Sequence, residues 1–427
     1  MTDTDNSVGA VLDLHDTAIR LWHGDDCVLS PGYVWFDDQN YHYGSPAMHS
    51  ARRQPRAVNT RFWWQLSTQA LTPALGPARH SADLVHNHLQ ALHQGAGQPN
   101  SITLIAPGSM SREQLSLLLG IVGALPFSID AIVHRSALAA AMHCSGTAIS
   151  QATHLELQLH QMVVTETRVE DGHAHAESSQ VLPGLGFIHL MDKLASAIAE
   201  QFVLQTRFDP SRRAESEQLL YNALPQLLTD IDAQGETRLT IDGYQARIAT
   251  EHLHTIGQQM GTAINAQLVH EGRTLLLDPM LARIPGLKLS GNACEVVPES
   301  LLQPLLEHSS QLRQGADALA FQTRVPLSHS IQHGVESSDP SQNTAVEQAQ
   351  PATHLLTGHT AQALDLETTL ESGAEIILQN GVLSLHGEAA TGVFVNGEPA
   401  QSGQRLSAGD RLTDSLGFDA QLIIVER

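Results

Sequence analysis

Histidines are the side chains that first suggest chemistry: 24 occur in 427 residues. They gather at His80, His86, His88 and His93, and again at His173 and His175. A metal site needs ligands that converge and a shell that orients them. On a helix only His86 and His93 of the first group share a face. The second group sits in Asp-Gly-His-Ala-His-Ala-Glu, which reads as a hairpin turn. Solvated histidines and no metal site are therefore expected. Cys27, Cys144 and Cys294 are an odd number, far apart, with no CxxC, so free thiols in a reducing cytoplasm are expected. The sequence has no G-x-S-x-G, no Walker loop, no H-E-x-x-H and no G-x-G-x-x-G after a strand. Leu182-Pro183-Gly184-Leu185-Gly186 is its nearest glycine-rich stretch. No catalytic residue is assigned.

The elements that would position such groups follow from periodicity. Residues 8–14 form a short apolar run ending in an acid, Asp13, and read as a buried strand. Residues 18–22 and 26–29 read as the next strands, around a Gly24-Asp25 turn. Helical spacing marks 81–93, and Ser111 is a candidate cap for a helix over 111–125. Strands at 101–106 and 129–133 and an alanine-rich helix at 136–144 follow. The alternation over 153–167 opens a second hairpin unit; 190–202 and 214–228 read as helices. Next come a hairpin about Asp242-Gly243, a helix over 250–268 opened by Thr250, a strand at 274–277, and a turn at Ile284-Pro285-Gly286-Leu287.

Composition narrows the function classes. Asp and Glu number 45 against 23 Lys and Arg, a net charge of −22. Nucleic acid and anionic membranes both require a basic surface, so neither is expected as the main partner. Arg52, Arg53 and Arg56 form one local basic group, read as a solvated face. No run of about 18 apolar residues occurs, which excludes a membrane-spanning helix. The first seven residues are polar and acidic, unlike a signal peptide, and a cytoplasmic location is expected.

The order of elements, hairpin then helix, strand and helix, then hairpin again, resembles the actin, sugar kinase and heat-shock chaperone superfamily. Particular stretches carry the resemblance. Val11-Leu12-Asp13-Leu14 with Thr17 is similar to that family's first phosphate loop. The strand at 102–107 with Arg112-Glu113-Gln114 resembles its first connecting segment, and 136–141 its alanine-rich helix. Residues 156–165 stand in the place of the second phosphate loop, and 274–287 resemble the adenosine loop. Residues 241–253 are similar to the chaperones' second-lobe hairpin and helix. The resemblance covers about residues 8–306 and implies two lobes about a nucleotide cleft. It also implies that Asp13, Asp16, Thr17, Glu156 and Asp278 would face a nucleotide if one binds.

That family's loops need glycines, because backbone N–H groups must approach phosphate closely. Here His15-Asp16 stands where glycine is expected, and Glu156-Leu157-Gln158-Leu159-His160-Gln161 contains none. Asp278-Pro279 replaces the adenosine loop's Gly-Gly, and His134-Arg135-Ser136 the chaperones' Glu-Pro-Thr. Asp13, Asp16 and Glu156 are accordingly open to two readings: strand-end or surface carboxylates, or a remnant of a magnesium site.

From 329 to 350 the chain is rich in Ser, Gln, Asp and Glu with almost no large apolar residues, and reads as a linker. Beyond it, short strands with Gly, Asn and Asp turns predict a small all-β domain. Residues 392–399 with Asn396-Gly397, and 406–412, resemble the end of a forkhead-associated domain. Phosphothreonine readers of that family need Arg and Ser in earlier loops. Gly358-His359 and Ser384-Leu385-His386 depart from that, so a non-reading module is expected.

The expected fold class is α/β, a two-lobed actin/chaperone-ATPase-like fold followed by a small all-β sandwich. The expected domains are 1–327 (two lobes), 328–353 (linker) and 354–427 (sandwich). The expected function is a non-enzymatic scaffold, a pseudo-ATPase acting through protein partners on its lobes and β domain. An ATPase that uses ATP and Mg²⁺ through atypical loops is the alternative, and a polymerising actin-like protein a third possibility.

Overall fold

Strand β1 (Ala10–Asp13) is completely buried, as an apolar run ending in one acid demands. It pairs antiparallel with β2 (Ile19–His23), which pairs with β3 (Asp26–Ser30). On its other side β1 runs parallel to β4 (Ser101–Ala106), and β4 parallel to β5 (Ser128–His134). Helix α1 (Ser81–Gly95) leads into β4, and α2 (Arg112–Val122) makes the crossover to β5. Ser111 caps α2, accepting from the Gln114 N–H while the Gln114 side chain accepts from the Ser111 N–H.

The same strand order recurs downstream. β6 (Gln151–Leu157), β7 (Gln161–Glu170) and β8 (His173–Pro183) form an antiparallel meander. β6 also runs parallel to β11 (Arg273–Leu277), which pairs parallel with β12 (Gly291–Glu295). Between these two groups lie α4 (Phe187–Thr206), α5 (Ala214–Gln234), the hairpin β9 (Glu236–Ile241) and β10 (Tyr244–Ala249), and α6 (Thr250–Asn265). Thr250 is the first helical residue rather than the cap; Ala249 holds that position, its N–H bonded to His252.

Helix α3 (Arg135–His143) starts directly where β5 stops. It lies among side chains from both sheets, Val11, Ile105 and Val133 on one side and Ala152, Ala174 and Leu276 on the other. Ala137, Ala139, Ala140 and Ala141 have no exposed surface. Only a stripe of small side chains lets a helix fit that closely between two sheets. Each sheet has its own outer core as well, one around Leu84, Leu89 and Leu104, the other around Leu194, Phe202 and Leu224.

Six residues near the end of this unit join both sheets. β13 (Phe321–Gln322) pairs parallel with β5, and β14 (Arg324–Pro326) antiparallel with β8.

The computed structural model describes residues 9–268, 273–314 and 319–328, and ten strands with a few single positions between 354 and 423. The chain divides into two units between His333 and Gly334. Of the expected linker, Ser328 is described. It is buried and its N–H bonds the Ala141 carbonyl, so it belongs to the first unit. Residues 1–7, 329–353, 358–359, 392, 396–397 and 407–410, on which other expectations rest, lie outside the described residues.

The second unit is all β among its described residues. One sheet has six strands and the other four. Ile376, Leu383 and Leu385 of one sheet and Val393, Leu412 and Leu422 of the other share a single buried cluster. Strands Val393–Val395 and Glu398–Pro399 pair with Val395 opposite Glu398. The Ser384 hydroxyl lies 2.9 Å from His386 Nε2.

Candidate functional site

The carboxyl ends of four strands, β1, β5, β6 and β11, converge within the first unit. Each delivers a charged side chain there. Asp13 is the last residue of β1, Arg135 follows β5, Glu156 is next to last in β6, and Asp278 follows β11. The Arg135 guanidinium joins them. Its Nε donates to Asp13 at 3.2 and 3.3 Å, and its Nη1 to Asp278 at 3.0 Å and to Glu156 at 3.5 Å. Arg135 is 1% exposed, and Asp13 and Glu156 have no exposed surface.

His15 joins the group through Asp278. Its Nε2 lies 2.8 Å from Asp278 and its Nδ1 2.6 Å from the Thr17 hydroxyl. Burial opposes a charged ring here, but the Asp278 carboxylate outweighs it and raises the His15 pKa. For Asp278 burial likewise pushes upward, yet His15 and Arg135 hold its carboxyl well below the usual range. The Leu157 N–H donates to the same carboxylate at 2.7 Å. Arg135 and His15 thus both meet Asp278, Arg135 also meets Asp13, and Glu156 is the least compensated of the three acids. Burial, only partly offset by Arg135, pushes its carboxyl up to about 7. The Ser136 hydroxyl donates to Glu156 at 3.3 Å and accepts from His154 Nδ1 at 2.9 Å. His154 is neutral, its pKa brought down to about 3 by burial, and its Nε2 has no hydrogen-bond partner among the described residues.

Asp16 points elsewhere. It accepts the Leu159 N–H at 2.8 Å, tying the β1–β2 turn to the β6–β7 turn, and burial pushes its carboxyl up to about 6. Beside it, Leu14, Trp63, Trp64, Gln158 and Gln161 border a cavity of about 30 Å³. That volume holds one or two waters. The β6–β7 turn is closed by its own groups, Gln158 N–H to the Gln161 carbonyl. Helix α4 starts against it: the N–H groups of Phe187 and Ile188 donate to the Gln158 and Leu159 carbonyls. A Cβ on Gly186 would lie 2.3 Å from the His160 carbonyl carbon, so only glycine permits this seating. Helix N-termini attract anions through free N–H groups, and these two are already bonded.

All five residues expected at a nucleotide are therefore placed. Asp13, Glu156 and Asp278 meet on Arg135, Thr17 joins through His15, and Asp16 bridges the two turns. The surface reading of Asp13, Asp16 and Glu156 is overturned, since exposures of 0%, 6% and 0% leave no surface carboxylate among them. Arg135 and His15 were not assigned roles from sequence. A signal was present: Arg135 lies between Ile132-Val133 and Ala137–Ala141, apolar on both sides. An arginine in such a run must find buried acids.

Two histidines of the first cluster depart from expectation. His88 is not solvated but wholly buried, bonded through Nε2 to Ser30 and through Nδ1 to Trp63. His93 is buried against the Pro99 carbonyl. Among the described residues no group of three His, Cys, Asp or Glu side chains could hold a metal ion. No helix among them is long and apolar enough to cross a membrane. No protein-family model matches this chain, and no curated protein matches its sequence.

Proposed function

We propose that this chain is a pseudo-ATPase scaffold, a degenerate two-lobed actin/chaperone-like fold joined to a forkhead-associated-like β-sandwich. The repeated strand order of the two sheets, with α3 between them, supports the two-lobed reading. The carrying observation is Arg135. Its guanidinium stands among Asp13, Glu156 and Asp278, the acids that would face Mg²⁺ and nucleotide in that family, and meets their charge from within. Phosphoryl transfer on such a fold is positioning plus electrostatic stabilisation of the phosphates. Here the cation position is taken by a side chain, and the α4 N–H groups are spent on the β6–β7 turn.

The chain then acts through protein partners, bound by the lobes and the β domain, in the cytoplasm. The alternative, an ATPase with atypical loops, has one observation in its favour: three of its expected acids meet at one point. Thermal melting separates the two. A ligand at 100 times its dissociation constant adds about 2.7 kcal/mol. The scaffold reading expects no shift with millimolar Mg-ATP and no phosphate release above buffer; a clear shift with turnover sinks it.

A further inference from the structure

A second cavity lies away from the charged cluster, between residues 33–60 and helices α4 and α5. Its volume is about 220 Å³. Cavities of about 150 Å³ lined by apolar side chains take up benzene, so this one accommodates a substituted ring. Apolar wall comes from Tyr33, Met48, Val58, Phe187, Ile188 and Met191, and Arg52, Thr60, Gln218 and Asn222 line it as well. Two methionines offer the polarizable sulfur contacts that aromatic rings favour.

Tyr33 offers a hydroxyl to the cavity. Tyr33 is 7% exposed, and its hydroxyl makes no hydrogen bond to any described residue. Burial pushes its pKa up, so it stays a neutral donor. The hydroxyl itself is not fully buried; it opens to the cavity, where a ligand acceptor can take the place of water. Arg52 at the rim does not call for an anion. It is paired with Asp192 at 2.5 Å and Glu217 at 3.8 Å, and lies 3.6 Å over the Tyr221 ring.

We propose that this cavity is a binding site for a small neutral monocyclic aromatic molecule carrying one hydrogen-bond acceptor, which the Tyr33 hydroxyl engages. Tyr33, Met48 and Val58 come from the segment after the first meander, and Phe187, Ile188 and Met191 from the helix after the second. The ligand therefore bridges the two halves of the first unit. The site does not depend on the nucleotide reading.

The test uses the full chain and three probes, acetophenone, ethylbenzene and benzoate, followed by ligand-observed NMR and calorimetry. Acetophenone should bind saturably and more tightly than benzoate. Tyr33→Phe, which keeps the ring and the packing, should weaken acetophenone about tenfold and leave ethylbenzene unchanged. Ile188→Trp, which fills the cavity, should abolish binding of both, with melting curves confirming that each variant is folded. Absence of acetophenone binding, tighter binding of benzoate, or acetophenone binding indifferent to both substitutions would overturn the assignment.

Discussion

Arg135 and Asp278 are 143 residues apart in the chain, and their side chains meet at 3.0 Å with almost no solvent access. One residue opens the helix between the sheets and the other closes a strand of the second sheet. The pair therefore holds the halves of the first unit in register. A buried ion pair is strongly destabilising to break from one side, because the remaining charge has no water to turn to.

Replacing Arg135 with Met should therefore cost about 3–5 kcal/mol. All four tryptophans, Trp22, Trp35, Trp63 and Trp64, precede residue 65, so their fluorescence reports on the first unit. The urea midpoint read from it should fall markedly, and adding Asp13→Asn should recover part of the loss. A midpoint unchanged by Arg135→Met would show that the cluster contributes nothing to the fold.

The pH dependence of stability should carry a falling contribution from two buried carboxyls. Glu156 and Asp16 are buried carboxyls pushed up to about 7 and about 6. Between their unfolded values and these, the folded chain holds protons that the unfolded chain releases, so raising the pH favours unfolding. His15, raised above its ordinary value, adds to the decline at higher pH. Asp278 acts in the opposite sense, its stabilisation being lost only in acid below the usual aspartate range. The buried histidines His88, His134 and His154, brought down by burial to about 3, about 4 and about 3, also oppose the decline, because the unfolded chain takes up their protons below about 6.5. Glu156→Gln removes one proton's falling contribution, up to roughly 1.4 kcal/mol per pH unit between about pH 5 and 7, so stability read from the urea midpoint should rise more, or fall less, with pH in the variant than in the wild type. General self-repulsion of this acidic chain affects both proteins alike, so an equal slope in wild type and variant would contradict the assignment.

Arg52→Ala should loosen the segment around residues 45–60. The side chain pairs with Asp192 and Glu217 and stacks on Tyr221, but it is partly exposed. Screened pairs and an exposed cation–π contact are worth about 1–2 kcal/mol together. Limited proteolysis should cut this segment faster in the variant, while far-ultraviolet dichroism is unchanged. Equal cleavage rates would mean that Arg52 is the solvated residue its sequence context suggests.

Ser111→Ala should cost about 1 kcal/mol through loss of its reciprocal bonds with Gln114, measured by the same tryptophan-detected unfolding. An effect under a few tenths would place that helix end under tertiary control.

Such local features were legible in the sequence. Ser101–Ala106 is a strand because a continuous apolar run meets Pro107-Gly108, and the structure ends it at that point. Asp242-Gly243 turns the β9–β10 hairpin as its composition implies. What stayed hidden depends on distant partners. His88 looked solvated because nothing near it in sequence shows that Ser30 and Trp63 will take its two nitrogens. Arg135 looked like a departure from a family pattern because its acids lie 122, 21 and 143 residues away. The four acids and one hydroxyl expected at a nucleotide can be named from sequence, but not the cation that stands among three of the acids.

Isothermal titration of the wild-type chain with Mg-ATP tests the central claim most directly, with Asp13→Ala as the control. If Arg135 stands among the three acids where a bound cation would otherwise sit, no saturable heat should appear at millimolar nucleotide. Micromolar binding by the wild type that Asp13→Ala abolishes would contradict the account and make the chain an ATP-binding protein.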